Sequence, residues 1–264
     1  MQLTFYKYQG TGNDFILIDN RVGQIVLNKK EIAFLCNRKF GIGADGLIFL
    51  NYKEGYDFEM IYYNADGSPS TMCGNGGRCM VQFAFDLGIV KTDYHFLAVD
   101  GEHIAIIENN LIKLKMQNVN LVEIKNGSFI LNTGSPHYVI FKNDVQLLNV
   151  KQAGSLIRRS QQFEQYGINV NFVEKINSHT IFVRTYERGV EDETLSCGTG
   201  VTAAALVYSN FLGNNNVHVE TLGGKLNVTF NKISKNQFED IYLCGPATFV
   251  FKGDINTQKN DSIL

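Results

Sequence analysis

The sequence predicts an α/β protein assembled from two homologous halves. Short runs of alternating apolar and polar residues, typical of half-buried strands, cover most of the 264 residues. Four helical segments interrupt these runs, and two of them follow Cys-Gly-x-Gly turns. Several short motifs also recur at a nearly constant spacing, which favours two copies of one folding unit over a single irregular domain.

The strand predictions depend on alternation and on turn residues. Residues 57–64 alternate with apolar side chains on one face, and residues 94–116 contain three apolar runs separated by Asp-Gly and Asn-Asn. Such dipeptides are typical of tight β-hairpins, so residues 94–116 are predicted to form a meander. Asn126-Gly127 predicts a further hairpin, and four short strands are predicted after residue 216.

Four helices are predicted, over residues 29–38, 75–87, 150–160 and 199–212. The first follows Asn28 with Glu31 three positions later, the arrangement of a capping box. The second and the fourth are each predicted to stop at a glycine, Gly88 and Gly213. The fourth is apolar on nearly every face, so we expect it to be central and buried.

The internal repeat relates the two halves of the chain. The predicted first helices of the two halves keep the same register, and three sequence matches accompany them. The matches are TGNDFILI (11–18) with TGSPHYVI (133–140), CGNG (73–76) with CGTG (197–200), and Tyr63-Asn64 with Tyr186-Glu187. Each half is therefore predicted to contain a strand, a helix, more strands, and a second helix that starts at a cysteine.

Composition limits the classes of function. Hydrophobic residues make up 44% and charged residues 19% of the chain, and the formal net charge is −2. This balance predicts a globular protein and argues against wholesale binding to nucleic acid or to an anionic membrane. The start, MQLTFYKYQGTG, has no signal-peptide pattern, and no apolar run is long enough for a membrane span. The five unevenly spaced cysteines are therefore expected to be reduced cytosolic thiols.

The two cysteines at helix starts are the main chemical clue. A helix N-terminus carries unpaired N–H groups and a partial positive charge, both of which favour a thiolate. This field lowers a thiol pKa from near 8.5 to roughly 7–8, which suits proton transfer in both directions. The neighbouring glycines let an anion approach the same N–H groups.

Two opposed thiols are what inversion of a carbon stereocentre requires. One thiolate takes the α-proton while the opposite thiol delivers another, and the carbanion-like state loads charge onto a carboxylate held by backbone donors. The sequence contains neither a P-loop nor a Gly-x-Gly-x-x-Gly nucleotide pattern, and it shows no obvious pyridoxal-phosphate site. We therefore expect a cofactor-independent isomerase, with no metal.

The longer motifs resemble one family. TGNDF (11–15), NADGSPSTMCGNGGRC (64–79), GSPH (134–137) and YERGVEDETLSCGTG (186–200) are together similar to diaminopimelate epimerase, over the chain to about residue 250. The resemblance implies two pseudosymmetric domains, each a curled, mainly antiparallel, barrel-like sheet around a central helix, with the active site in the cleft between them. Residues 1–118 would carry Cys73, and residues 119–264 would carry Cys197, with the C-terminal tail expected to pack back on the first half.

The resemblance also implies the reaction. Members interconvert LL- and meso-diaminopimelate without a cofactor, on the route to lysine and peptidoglycan, and a cytoplasmic homodimer is expected. Cys73 and Cys197 match the acid/base pair, with Cys197 as acceptor and Cys73 as donor in the LL-to-meso direction, and His137 and Glu187 match positions that assist them. The expected substrate contacts are Asn13, Asn64, Gly74, Asn75, Asn169, Glu187, Arg188, Gly198 and Thr199.

The sequence departs from the family pattern at two positions. Ser135 stands where members often have asparagine, and Gly46 stands where some have glutamine, so a substrate contact at either position is in question. Three other functions stay open: a proline or hydroxyproline racemase, a dithiol redox protein that uses Cys73 and Cys197, and a non-catalytic amino-acid binder. The remaining cysteines are expected to be structural, with Cys36 and Cys244 in the core and Cys79 facing away from the site.

Overall fold

A computed structural model describes residues 2–211, 213 and 215–256. The chain divides into two compact units, one formed by Met1–Ile107 with Ala247–Leu264 and the other by Glu108–Pro246. The predicted two-domain α/β class is confirmed. The predicted boundary between homologous halves, at residues 118 and 119, refers to the repeat in the sequence, whereas the compact units are defined by packing. The boundary between the halves therefore stays a prediction.

The first unit combines seven strands with two helices. Its elements are β1 (Gln2–Gly10), β2 (Asn13–Asn20), α1 (Lys29–Cys36), β3 (Gly46–Asn51), β4 (Glu59–Asn64), α2 (Gly74–Asp86), β5 (Asp93–Ala98), β6 (Gly101–Glu108) and β17 (Thr248–Asn256). The strands pair in the order β17-β1-β2-β3-β4-β5-β6, with β2–β3 and β4–β5 parallel and the other pairs antiparallel. Helix α2 contacts β1, β2, β3 and β17, and most of its side chains are buried.

The second unit repeats this plan. Its elements are β7 (Leu111–Lys115), β8 (Val122–Lys125), β9 (Ser128–Asn132), β10 (Pro136–Phe141), a 3-10 turn at Val145–Leu147, α3 (Val150–Arg158), β11 (Asn169–Lys175), β12 (Thr180–Glu187), β13 (Asp192–Thr194), α4 (Gly198–Ser209), β14 (Asn216–Thr221), β15 (Gly224–Lys232) and β16 (Phe238–Gly245). Parallel pairs again occur twice, β10–β11 and β12–β14, each next to antiparallel pairs. The sheets of the two units therefore share one pattern of strand directions.

Helix α4 lies at the centre of the second unit. It contacts β9 to β12 and β14 to β16, and the side chains from Val201 to Ser209 are all buried. A helix that is apolar on every face must be surrounded by other elements, which is the prediction made from its Ala- and Val-rich sequence. That prediction is confirmed.

The first helix starts as predicted and ends early. Asn28 Oδ1 accepts hydrogen bonds from the N–H groups of Lys30 and Glu31, and Glu31 Oε2 accepts one from Asn28 N, so the capping box is confirmed. Helix α1 ends at Cys36 instead of residue 38. Asn37 is the cause, because its backbone is extended and its side chain accepts from the N–H groups of Lys39 and Phe40.

The other helices differ from prediction by one to three residues at their ends. Helix α2 is followed by Gly88 with φ 91°, as the predicted glycine stop requires. Helix α3 ends at Arg158, before the predicted residue 160, and α4 ends at Ser209. The predicted end of the fourth helix, Leu212, lies outside the described residues.

Local turn and core predictions also hold. Asn126 and Gly127 have φ values of 51° and 75°, the positive pair that a tight hairpin between β8 and β9 needs. Cys36 and Cys244 are buried, at 3% and 4% exposure. Among the helices of the described ranges, none is both long and apolar enough to cross a membrane.

The contact of α3 with β12 gives a test of the packing. A Cβ added at Gly154 would lie 2.3 Å from Tyr186 Cβ and 2.5 Å from its Cγ. We expect Gly154→Ala to lower the free energy of unfolding by about 1–3 kcal/mol, because the overpacking outweighs the better helix propensity of alanine. Urea denaturation measures this, with Gln152→Ala on the exposed face of the same helix as the control. Equal free energies of unfolding for the two variants would contradict the close packing of Gly154 on Tyr186.

Candidate active site

Each cysteine of interest occupies the N-cap position of a helix. Cys73 precedes α2 with φ −113° and ψ 128°, and Cys197 precedes α4 with φ −110° and ψ 111°. The carbonyl of each accepts the first intrahelical hydrogen bond, from Gly77 N at 2.7 Å and from Val201 N at 2.9 Å. The two helix starts therefore present a thiol beside first-turn N–H groups in the same backbone geometry.

The first unit brings three predicted site residues together. Cys73 Sγ lies 3.7 Å from Asn13 Oδ1, and Asn75 Nδ2 lies 3.4 Å from the same oxygen. Asn13 begins β2, and Asn75 lies in the first turn of α2. Packing of α2 on β2 thus places the Asn13 amide beside the Cys73 thiol and the Asn75 amide beside Asn13.

Arg78 also belongs to the surroundings of Cys73, although the sequence motifs alone gave it no role. Its side chain is fully buried in α2, where Nη1 donates to Gly74 O at 3.1 Å and Nη2 donates to Asn75 Oδ1 at 3.0 Å. The second bond fixes the Asn75 amide, so that its nitrogen faces Asn13. A cation four residues after Gly74 could have suggested this, because residues at that spacing meet on one helix face.

Asn64 lies at the end of β4. It is next to Gly46, one of the two positions at which the sequence differs from the family pattern. The two residues are register partners in the β3–β4 pair, and Asn64 N donates to Ser68 O at 2.9 Å. A Cβ at Gly46 would lie 2.4 Å from Tyr62 Cε2 and 2.6 Å from Tyr63 O. The Tyr62 ring occupies the space that a side chain at position 46 would need.

The second unit surrounds Cys197 with a different set of groups. Cys197 is 8% exposed, and its Sγ lies 3.5 Å from Thr199 Oγ1. Thr133 Oγ1 donates to Thr199 O at 2.8 Å, which ties the loop before β10 to the first turn of α4. Cys73 thus faces an amide oxygen, whereas Cys197 lies near a hydroxyl.

His137 is fully buried on β10 against the first turn of α4. Its Nδ1 accepts from Asn171 Nδ2 at 3.1 Å, which leaves the ring hydrogen on Nε2. Within the part of the chain that the structure describes, no group accepts from Nε2. Burial lowers the pKa of His137 to about 3, with a smaller contribution from the positive charge of Arg188. The ring is a neutral N–H donor.

The other predicted polar side chains of the second unit each have a hydrogen-bond partner at the ends of β11 and β12. Asn169 is buried, and its Oδ1 accepts from Arg188 N at 2.8 Å while its Nδ2 donates to Ser135 Oγ at 2.8 Å. Glu187 Oε2 accepts from Thr194 Oγ1 at 3.0 Å. The exposed Arg188 side chain donates to Tyr166 O. Asn169 thus ties the turn at Ser135 to the end of β12.

Comparison with known proteins gives a consistent result. The model of the diaminopimelate epimerase family matches residues 5–122 and 129–250, two segments that start at the spacing of Cys73 and Cys197. A diaminopimelate epimerase from Flavobacterium psychrophilum is 51% identical over 258 residues, which cover 96% of this chain and 100% of that protein.

Solved structures of lower identity share the fold. A phenazine biosynthesis protein of the PhzF family from Bacillus anthracis has a TM-score of 0.74 at 13% identity, covering 97% of this chain and 100% of its own. A probable proline racemase from Agrobacterium radiobacter, with bound carbonate, has a TM-score of 0.72 at 12% identity, covering 98% and 94%. At these identities the likeness concerns the fold alone.

The buried imidazole makes stability depend on pH. Because the pKa of His137 falls from 6.5 in the unfolded chain to about 3 in the folded one, its contribution to stability is complete above pH 6.5 and is lost as the pH falls toward 3. Between pH 7 and pH 5 the wild type should lose about 2 kcal/mol more than His137→Gln does. Urea denaturation of both proteins at pH 7 and pH 5 measures the loss of unfolding free energy. Equal losses in the wild type and in His137→Gln would show that the His137 ring is not held in a buried, neutral state.

Proposed function

The chain belongs to the diaminopimelate epimerase family, and we propose that Cys73 and Cys197 are the acid and base with which it interconverts LL- and meso-diaminopimelate. The resemblance read from the sequence motifs is thereby confirmed, and the enzyme is an isomerase of amino-acid biosynthesis. The observation that carries the proposal is the matched pair of N-cap cysteines, each at the start of a buried helix in one of two repeating units.

Both steps of the proposed reaction are proton transfers. In the LL-to-meso direction the Cys197 thiolate takes the α-proton and becomes a thiol, while the Cys73 thiol gives its proton to the opposite face of the carbon and becomes a thiolate. Protons and charge balance in these transfers, and proton exchange with water then restores the Cys197 thiolate and the Cys73 thiol. The reverse direction exchanges the two roles. Thiols beside helix N-termini suit this exchange, because the first-turn N–H groups and the helix dipole make the thiolate accessible. We propose that no cofactor or metal takes part.

The first turns of α2 and α4 are proposed to hold the reacting carboxylate. Charge that develops during proton removal spreads onto this carboxylate, and N–H donors at a helix start stabilise it without rearranging. Gly74 and Asn75 supply the donors on α2, and Gly198 and Thr199 supply them on α4. The glycines support this role because they leave the N–H groups uncovered.

The remaining polar residues are proposed to bind and assist. Arg188 can hold the distal carboxylate with two parallel hydrogen bonds, and Glu187 can accept from the distal ammonium. His137 supports an assisting role because its neutral Nε2–H is a buried donor oriented by Asn171. Asn13, Asn64 and Asn169 complete the proposed substrate contacts. We further propose that the enzyme acts as a cytoplasmic homodimer on this small-molecule substrate, on the route to lysine and peptidoglycan.

Serine substitution tests the acid/base pair. We expect Cys73→Ser and Cys197→Ser each to lower kcat by at least about 100-fold, since a hydroxyl is a far weaker acid than a thiol and loses general acid/base catalysis. Cys36→Ser, the same change at a core cysteine remote in sequence, should keep turnover. Coupled assays of LL-diaminopimelate conversion measure all three, with circular dichroism to confirm folding.

Two results would contradict the assignment of Cys73 and Cys197 as the acid/base pair. Turnover within tenfold of the wild type in either site variant would remove that cysteine from the reaction. A wild-type protein that exchanges no α-proton but cycles a Cys73–Cys197 disulfide with thiol partners would instead be a dithiol redox protein.

A further inference from the structure

Four side chains of alternating charge lie in a row beside Asn13. The Nζ of Lys7, a buried residue of β1, lies 2.7 Å from Asp14 Oδ2, and Arg38 donates to Asp14 through Nη1 at 3.1 Å and Nη2 at 2.5 Å. Arg38 Nη2 also lies 2.7 Å from Asp45 Oδ1. Burial of Asp14 opposes its ionisation, but hydrogen bonds from Arg38 and Lys7 outweigh it and lower the pKa to about 2. The row is therefore charged at neutral pH.

Asp45 makes the shorter of the two hydrogen bonds that set the direction of the Asn13 amide. Its Oδ2 accepts from Asn13 Nδ2 at 2.6 Å and from Asp14 N at 3.2 Å. An ionised carboxylate only accepts hydrogen bonds, so it selects the orientation with the Asn13 nitrogen toward it. Asn13 Oδ1 must then face the opposite way, where it meets Cys73 Sγ and Asn75 Nδ2.

The second unit braces the equivalent position by other means. Ser135 stands in the repeat where Asn13 stands in the first unit, and its Oγ accepts from Asn169 Nδ2 at 2.8 Å. Asn169 begins β11, and Asp45 directly precedes β3. Strand β11 runs parallel to β10, which directly follows Ser135, and β3 runs parallel to β2, which begins at Asn13. The recurrence of a side-chain brace at this place indicates that it serves the site and not one loop.

We propose that Asp45, held by Arg38, is a positioning residue that keeps the Asn13 oxygen toward Cys73 and thereby holds that cysteine as the protonated, proton-donating thiol. An amide oxygen accepts from S–H but repels a thiolate, so this orientation favours the thiol. The inference rests on the proposed function, in which Cys73 is the donor in the LL-to-meso direction. The Thr199 hydroxyl near Cys197 can donate instead, which suits the partner that starts as the thiolate.

The variant Asp45→Asn tests the orientation with almost no change in shape. Arg38 will attract the new amide oxygen, which turns the new NH₂ group toward the Asn13 nitrogen. Asn13 then loses the carboxylate that held its nitrogen, and only the longer contact from Asn75 still favours the present orientation, so the Asn13 NH₂ group can turn toward Cys73. Asp19→Asn is the matched control, because Asp19 lies on β2, the strand that begins at Asn13, and also binds an arginine, Arg21.

The first measurement needs no substrate. Full-length proteins are treated with iodoacetamide at pH 7, and the rate of Cys73 alkylation is followed by peptide mass spectrometry. We expect Asp45→Asn to raise this rate about threefold or more over the wild type, because only the thiolate reacts. In steady-state assays its kcat from LL-diaminopimelate should fall about tenfold, and its KM should change by a smaller factor that reflects the altered contact of Asn13 with the substrate.

Reciprocal exchange separates positioning from a purely structural role. In Asn13→Asp two carboxylates face each other, so its activity should be low. In the double variant Asn13→Asp with Asp45→Asn, the new amide NH₂ donates to one oxygen at position 13 and the other oxygen faces Cys73. We expect kcat of the double variant to exceed that of either single variant by at least about threefold.

The outcomes distinguish this inference from the function on which it rests. Alkylation and kcat in Asp45→Asn within twofold of Asp19→Asn, or a double variant no better than its parents, would overturn the positioning role while wild-type turnover stands. A wild type that fails to convert diaminopimelate would overturn the proposed function, and the alkylation rates would still decide how Asp45 acts on Cys73.

Discussion

The structure depends on one constraint, which is that two helices packed within curled sheets each begin directly after a cysteine. Neither helix start has room for a side chain at its third residue without displacing a neighbour. A Cβ at Gly200 would lie 2.2 Å from Asn171 Oδ1, and one at Gly76 would lie 3.0 Å from Ile48 Cδ1. Glycine at these positions lets the strands close around each helix while the first-turn N–H groups stay available to an anion. The Gly-rich motifs thus meet a packing requirement, and the same glycines support the proposed binding of a carboxylate.

The two units share a backbone plan but not a chemical environment. Both place a cysteine at an N-cap, yet Cys73 faces Asn13 Oδ1 at 3.7 Å and Cys197 lies near Thr199 Oγ1 at 3.5 Å. An enzyme that inverts a carbon needs one partner as acid and the other as base at any moment. Dissimilar neighbours on similar helix starts are a direct physical means of assigning those states.

Sequence reasoning could predict features whose cause is local. The Asn28 capping box, the Asn126-Gly127 hairpin and the buried α4 all follow from neighbouring residues, and the repeat located both helix starts. The end of α1 was missed because a side-chain bond from Asn37 decides it. The charged row leading to Asn13 was missed because its members meet only through the pairing of β1, β2 and β3. Long-range register of this kind leaves no periodic signal in one sequence.

The central claim is that two thiols exchange and invert an α-proton of diaminopimelate. The most direct measurement incubates the reduced protein with LL-diaminopimelate in D₂O without added cofactor and follows the α-proton by NMR together with chiral analysis. The account predicts that deuterium enters the α-position as the meso form accumulates. Absence of exchange with diaminopimelate, or exchange with proline instead, would contradict it.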